Sequence, residues 1–199
     1  MANGKWVSVE GIIGAGKSTL VNKYRDTCIV VDEPVKLWEE SGILELMYKE
    51  PQIYNFPAQC HFFHSRIKAF RQAYQPGKTI LSDRSVFTDL LFWNTQLQLG
   101  RVDPLLHSIY MDMWKEWQNL LPIRYPTSFV YLRPNIETCM DQIEKRGRSQ
   151  ESSITLEYQQ ELLRQHDALF LDPLGVLMPD GTTRVPVQVI RSNEETIHF

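Results

Sequence analysis

Residues Gly11-Ile12-Ile13-Gly14-Ala15-Gly16-Lys17-Ser18 fit the pattern G-x-x-x-x-G-K-[ST]. Glycines permit backbone dihedrals that other residues resist, so successive N–H groups can turn inward toward a phosphate. Gly11, Gly14, Ala15, Gly16 and Thr19 are the expected cradle. Lys17 can reach the β- and γ-phosphates and Ser18 can ligate Mg²⁺. The context supports the motif. A strand candidate, Lys5–Glu10, precedes it, and a helix from about Lys17 to Arg25 follows, adding its positive end to the site. The stretch therefore points to a bound nucleoside triphosphate, and leaves open what is done with it.

Working outward, short apolar runs alternate with longer helical patterns, the signature of βαβ units and a parallel sheet. Further strands are expected at Cys28–Asp32, Thr79–Ser82, Phe129–Leu132 and Val185–Ile190. The last carries Pro186, so it should lie at an edge or start late. Helices are expected over Val35–Lys49, nicked at Ser41-Gly42, and over Pro57–Tyr74, with proline at its first position. Others should span Phe87–Leu99, Pro104–Leu121, Ile136–Lys145 and Leu156–Leu171. The fold class is α/β, with five parallel strands flanked by helices. The large apolar residues of Pro104–Leu121 recur at helical spacing, which suits either core packing or a homodimer face.

Two strands end in an acid: Val31-Asp32-Glu33-Pro34 and Leu81-Ser82-Asp83-Arg84-Ser85. In a parallel sheet both ends lie beside the phosphate loop. Arg84 can hold a developing negative charge, and Asp83 can hold Mg²⁺ or its water shell. Lys145-Arg146-Gly147-Arg148 sits in a polar stretch after a helix, where arginines can close over a transferred phosphoryl group. A motor ATPase would also place Asp-Glu after a hydrophobic strand. A guanine-nucleotide switch would need an Asn-Lys-x-Asp base reader, which the sequence lacks.

The length of 199 residues suits one domain, 1–199, with a lid at about 145–153. Lys and Arg total 21 against 24 Asp and Glu, a formal charge of −3, which disfavours a nucleic-acid polymer as partner. The three cysteines, Cys28, Cys60 and Cys139, form no C-x-x-C pair and suggest a reducing compartment. No apolar run approaches the roughly 18 residues of a membrane span. Nothing at the N-terminus resembles an apolar or Arg-rich leader, so a cytoplasmic location is expected.

Taken together, these motifs resemble the deoxyribonucleoside kinase family. The resemblance runs from about Lys5 to Ile190. It rests on Gly11–Ser18, Asp32-Glu33-Pro34-Val35 with Trp38, Leu46-Met47-Tyr48-Lys49-Glu50-Pro51, Gln59, Asp83-Arg84-Ser85-Val86-Phe87, and Arg146-Gly147-Arg148 followed by Glu151. It implies a P-loop kinase fold with an arginine-rich lid, ATP and Mg²⁺ as cofactors, and a homodimer. The activity implied is transfer of the γ-phosphate of ATP to the 5′-hydroxyl of a deoxynucleoside. By the same resemblance Glu33 is the general base, Arg84 positions the 5′-oxygen, and Lys17, Arg146 and Arg148 hold the phosphoryl group. Asp83 and Ser18 serve the metal. Tyr48 and Glu151 hold the sugar 3′-hydroxyl and Gln59 reads the base edge. Trp38, Met47, Phe62 and Trp93 form apolar walls.

Arg66 and Asp89 match a pair found in deoxycytidine- and purine-preferring members. Ala58 replaces a common aromatic, leaving room that favours a purine, so deoxyadenosine is the expected substrate, with deoxyguanosine and deoxycytidine beside it. Gln142 departs from an arginine that many members place over the ATP adenine. The alternatives are a thymidine-preferring member, a thymidylate-like monophosphate kinase and a nucleotide-gated switch. The monophosphate kinase would set Glu33 against an anionic acceptor, and the switch would not need to position an acceptor hydroxyl.

Overall fold

The computed structural model describes residues 4–199; Met1, Ala2 and Asn3, which open the expected domain, lie outside the described residues. Strand β1 (Trp6–Glu10) runs into the glycine-rich loop, and helix α1 (Lys17–Asn22) leaves it. Then come β2 (Ile29–Val31), α2 (Val35–Glu40), α3 (Ile43–Lys49) and α4 (Pro51–Ala73). They are followed by β3 (Ile80–Asp83), α5 (Val86–Gln98), α6 (Pro104–Trp117) and β4 (Ser128–Leu132). The chain closes with α7 (Ile136–Arg146), α8 (Leu156–Phe170), β5 (Val176–Leu177), β6 (Arg184–Val185) and β7 (Val187–Ile190).

Five strands form one sheet in the order β2-β3-β1-β4-β7, every pairing parallel. Such a sheet must be covered on both faces, because its crossovers are helical. Alternation along β1 shows how. Trp6 packs with Phe63, Ile67, Phe70 and Phe87 on one face, whereas Val7 and Val9 pack with Leu20, Leu81, Leu132 and Leu162 on the other. Strand β1 sits between β3 and β4, so the chain reverses its winding there and a crevice opens at the carboxyl ends of the strands. A third, smaller apolar cluster of Trp38, Leu44, Met47, Ala58 and Phe62 forms beside that crevice.

The structure corrects one expectation about elements, bears out another and adds a strand pair. The helix before Pro51 ends at Lys49 as expected, but Pro57 lies inside the next helix, and it is Pro51 that takes the first position of α4. Its missing N–H costs nothing in the first turn, where amides have no intrahelical partner. As expected from Pro186, the final strand lies at the sheet edge and starts late, at Val187, because Pro186 cannot donate to the ladder; its carbonyl instead accepts from Phe129 N at 2.9 Å. Val185 belongs to a small antiparallel pairing of β5 and β6, which the sequence reading missed. The turn signal was present in Pro179-Asp180-Gly181, where the Asp180 carboxylate accepts from Thr182 N and Thr183 N at 2.9 and 2.8 Å.

Candidate active site

The glycine loop is held from outside by its carbonyls. Gly11 O accepts from Arg84 Nη1 at 2.5 Å, Ile12 O from Lys17 Nζ at 3.0 Å, and Ile13 O from Gln159 Nε2 at 2.7 Å. Three successive loop carbonyls are thus fixed by side chains. Gly14 adopts φ 79, and a Cβ there would lie 2.2 Å from the Cys139 carbonyl, so only glycine lets α7 approach so closely. Gly14, Gly16, Lys17, Ser18 and Thr19 border a cleft of about 820 Å³. Gly11 and Ala15 do not. Gly11 is needed where the loop passes the Leu132 carbonyl, and the Ala15 amide is spent on Ile12 O at 3.3 Å. Burial and the nearby Arg84 charge bring the Lys17 ammonium down to about 8, opposed by Asp83, Glu33 and Glu10.

The two acidic strand ends converge here. Ser18 Oγ donates to Asp83 Oδ2 at 2.5 Å, while Asp83 Oδ1 is buried with no partner among the described residues. Burial pushes the Asp83 carboxyl up, against the pull of Lys17. An unsatisfied buried carboxylate oxygen beside a hydroxyl is the donor set that a hard divalent cation takes. From β2, Glu33 Oε1 meets Arg66 Nη2 at 3.0 Å and Arg84 Nε at 3.2 Å. Burial would raise its pKa, but the Arg84, Arg66 and Lys17 charges outweigh that and hold the carboxyl at about 2. Asp32, its neighbour, is exposed and pairs with Arg25 at 2.5 Å. Arg84 has φ 67, alone in that region among the described non-glycine residues. A left-handed backbone costs a side-chain-bearing residue about 1–2 kcal/mol, so the surroundings must enforce it.

A pocket for a flat ring adjoins these groups. Trp38 and Phe62 lie with ring centroids 4.3 Å apart, and Trp38 Nε1 is tied to Ser65 Oγ at 2.8 Å. Arg66 spans Asp89 with Nε and Nη2 at 3.1–3.2 Å, leaving Nη1 buried and without a partner among the described residues. Gln59 Oε1 is likewise buried and unpaired. Burial raises the Asp89 carboxyl to about 6, although Arg66 pulls the other way. Met47, Tyr48 and Glu151 complete the wall. The lid is drawn in over it: Glu151 accepts from Arg146 at 2.5 Å and from Arg148 at 3.2 Å, and Arg148 also meets Glu39 at 3.2 Å.

Two expectations about the walls need correction. Trp93 does not border the cleft. It is fully buried on the far side of α5, stacked on Tyr110 at 4.2 Å and donating to His107 Nδ1 at 2.8 Å. One position earlier, Phe92 turns 100° round the helix and faces the cleft, with the Arg84 guanidinium 4.7 Å from its ring centroid. Its spacing of three from Asp89 was the signal that could have found it. Ala58 is buried in the wall behind Trp38 and Phe62, so it does not itself border the cleft. Glu39 was missed because nothing in its local pattern marks a lid partner.

A family model described as deoxynucleoside kinase matches residues 7–199. The chain is 31% identical over 166 residues to a probable deoxycytidine kinase of Fowlpox virus, covering 82% of this chain and 70% of that protein. It is 30% identical over 226 residues to a deoxycytidine kinase of Bos taurus, covering 96% and 85%. It is 29% identical over 175 residues to a deoxyguanosine kinase of Lactobacillus johnsonii, covering 80% and 74%. The phosphate cradle, the carboxylate between two arginines and the ring pocket thus lie in a chain that belongs to the deoxynucleoside kinase family, an ATP-dependent nucleoside kinase.

Proposed function

We propose that this enzyme phosphorylates the 5′-hydroxyl of deoxyadenosine in preference, with deoxyguanosine and deoxycytidine as further substrates, in nucleotide salvage. The observation carrying this reading is the ring pocket's polar end, where Arg66 Nη1 and Gln59 Oε1 are buried and unpaired beside Asp89. Unpaired buried groups are costly, so a base that satisfies them is selected strongly. Adenine and cytosine each present an amino donor next to a ring acceptor, which matches an amide oxygen beside a guanidinium N–H. Thymine presents a keto oxygen and a methyl group there. The relatives named for deoxycytidine and deoxyguanosine also take amino-bearing bases.

In the proposed reaction the 5′-oxygen attacks the γ-phosphorus, the bond from that phosphorus to the ADP oxygen breaks, and the hydroxyl proton passes to Glu33. A carboxyl held at about 2 is a poor base for a resting hydroxyl. The proton therefore moves late, as the forming P–O bond acidifies it. Arg84 orients the 5′-oxygen, and Lys17, Arg146 and Arg148 spread the charge of the transferring group. Tyr48 and Glu151 would hold the 3′-hydroxyl. Ser18 and Asp83 are the residues that would hold Mg²⁺, which when bound neutralises charge on the triphosphate.

The chain is proposed to act as one domain with a lid at about 145–153, in the cytoplasm, and as a homodimer through α6, whose Leu105 and Ile109 are exposed. Among the described residues no helix is long and apolar enough to cross a membrane. Initial rates with ATP and each of the four common deoxynucleosides test the substrate. Deoxyadenosine is expected to give the highest kcat/KM, and thymidine as best substrate would overturn the assignment.

A further inference from the structure

Glu10 ends β1 directly under the phosphate loop and is completely buried, yet it does not border the cleft. Its Oε1 accepts from Ser8 Oγ and from Ser85 Oγ, both at 2.7 Å, and its Oε2 accepts a short bond from Thr88 Oγ1. The hydrogen bonds have one polarity. Trp6 Nε1 can only donate; it donates to Ser82 Oγ, which donates to Ser8 Oγ, which donates to Glu10. On the other side Ser85 Oγ accepts from Phe87 N as the N-cap of α5, so its own proton is free for Glu10. Ser8, Ser85 and Thr88 each give a hydroxyl proton to the one carboxylate, and Ser82 feeds it through Ser8. Burial pushes that carboxyl up, and the Ser85, Thr88 and Ser8 hydroxyls and the Arg84 charge pull it back.

The two hydroxyls on the α5 side bracket what the site depends on. Arg84, with its left-handed backbone, directly precedes Ser85, and Asp89 directly follows Thr88. Pinning Ser85 and Thr88 to β1 fixes the turn that aims the Arg84 guanidinium and the helical phase that aims Asp89 and Phe92. A carboxylate at a helix N-terminus is also favoured by the helix dipole.

We propose that Glu10 is a positioning residue for phosphoryl transfer: through Ser85 and Thr88 its carboxylate holds the Arg84 turn and the first turn of α5 in the reactive arrangement. The role rests on the reading of Arg84 as the group at the 5′-oxygen.

Thr88→Val removes one of these bonds at constant side-chain shape, Thr88→Ser retains it, and Ser8→Ala removes a bond to the same carboxylate on the side away from α5. Two readouts are taken: kcat and KM for both substrates, and amide hydrogen exchange over residues 84–90. Thr88→Val is expected to lower kcat about tenfold or more with the KM for ATP within about twofold, and to speed exchange over 84–90 about tenfold. Thr88→Ser and Ser8→Ala should stay within about threefold of wild type in both. Glu10→Gln should resemble Thr88→Val. If Thr88→Val and Ser8→Ala lose kcat equally, or if exchange over 84–90 is unchanged in Thr88→Val, the positioning role is wrong. A wild-type chain without nucleoside kinase activity would defeat the reading of Arg84, and the exchange comparison alone would then decide the role of Glu10.

Discussion

Replacing Glu33 with Gln separates its chemical role from its structural one. Glu33 Oε1 accepts a hydrogen bond from Arg66 Nη2 at 3.0 Å and pairs by charge with Arg84 Nε at 3.2 Å, and an amide oxygen can accept the Arg66 bond in the same place. Arg84 keeps the Gly11 carbonyl and the Phe92 ring, and Arg66 keeps Asp89, so neither cation is stranded. What disappears is the proton acceptor and one negative charge. General-base catalysis contributes about 10²–10⁴ in rate, or about 3–5 kcal/mol of barrier. Glu33→Gln should therefore lose that factor in kcat while the dissociation constant for the deoxynucleoside, measured by calorimetry, changes by less than about threefold. Asp32→Asn is the matched control, because Asp32 is exposed and paired with Arg25; kcat should stay within about twofold. Loss of less than about tenfold in kcat for Glu33→Gln, or equal losses for both variants, would refute the assignment.

Three further outcomes follow from the geometry. Asp89 sits at about 6, so its carboxylate is lost as pH falls through that value and the Arg66 fork with it; kcat/KM for the deoxynucleoside should fall below about pH 6 while kcat/KM for ATP does not, and a flat acceptor profile would contradict this. His166 is buried neutral, held at about 3 by burial and the Arg84 charge, so the unfolded chain binds a proton that the folded chain refuses. Stability carried by that difference is complete above the unfolded value and lost as pH falls: about 1.4 kcal/mol between about pH 7.5 and 5.5. His166→Phe should remove that part of the pH dependence in urea unfolding, and an unchanged slope would count against it. Phe92→Leu should cost acceptor kcat/KM by about 2–30-fold through the lost cation–π contact, whereas Trp93→Phe should lower Tm and leave kinetics unaltered.

The sequence was most legible where chemistry and local backbone coincide. The glycine loop, the acids at two strand ends and the five parallel strands all declare themselves through spacing, and the structure brings Lys17, Glu33, Asp83 and Arg84 together as expected. Helix phase was less legible. Both Phe92 and Trp93 are aromatic and adjacent, and only the packing of α5 against Tyr110 decides which is buried in the core. The start of the long helix was misread for a similar reason, since either Pro51 or Pro57 suits a first helical position and only the fold shows that it is Pro51. Partners distant in sequence left no local trace: Glu39 reaches Arg148 across more than a hundred residues, and Gln159 supports the phosphate loop from α8.

The most direct measurement is product identification after incubation with ATP·Mg²⁺ and either deoxyadenosine or deoxyadenosine 5′-monophosphate, by mass spectrometry and phosphorus NMR. The nucleoside should yield its 5′-monophosphate and one equivalent of ADP, and the monophosphate should remain unchanged because Glu33 repels a second anion at the acceptor site. Conversion of the monophosphate to a diphosphate with the nucleoside untouched would contradict the assignment of this cleft.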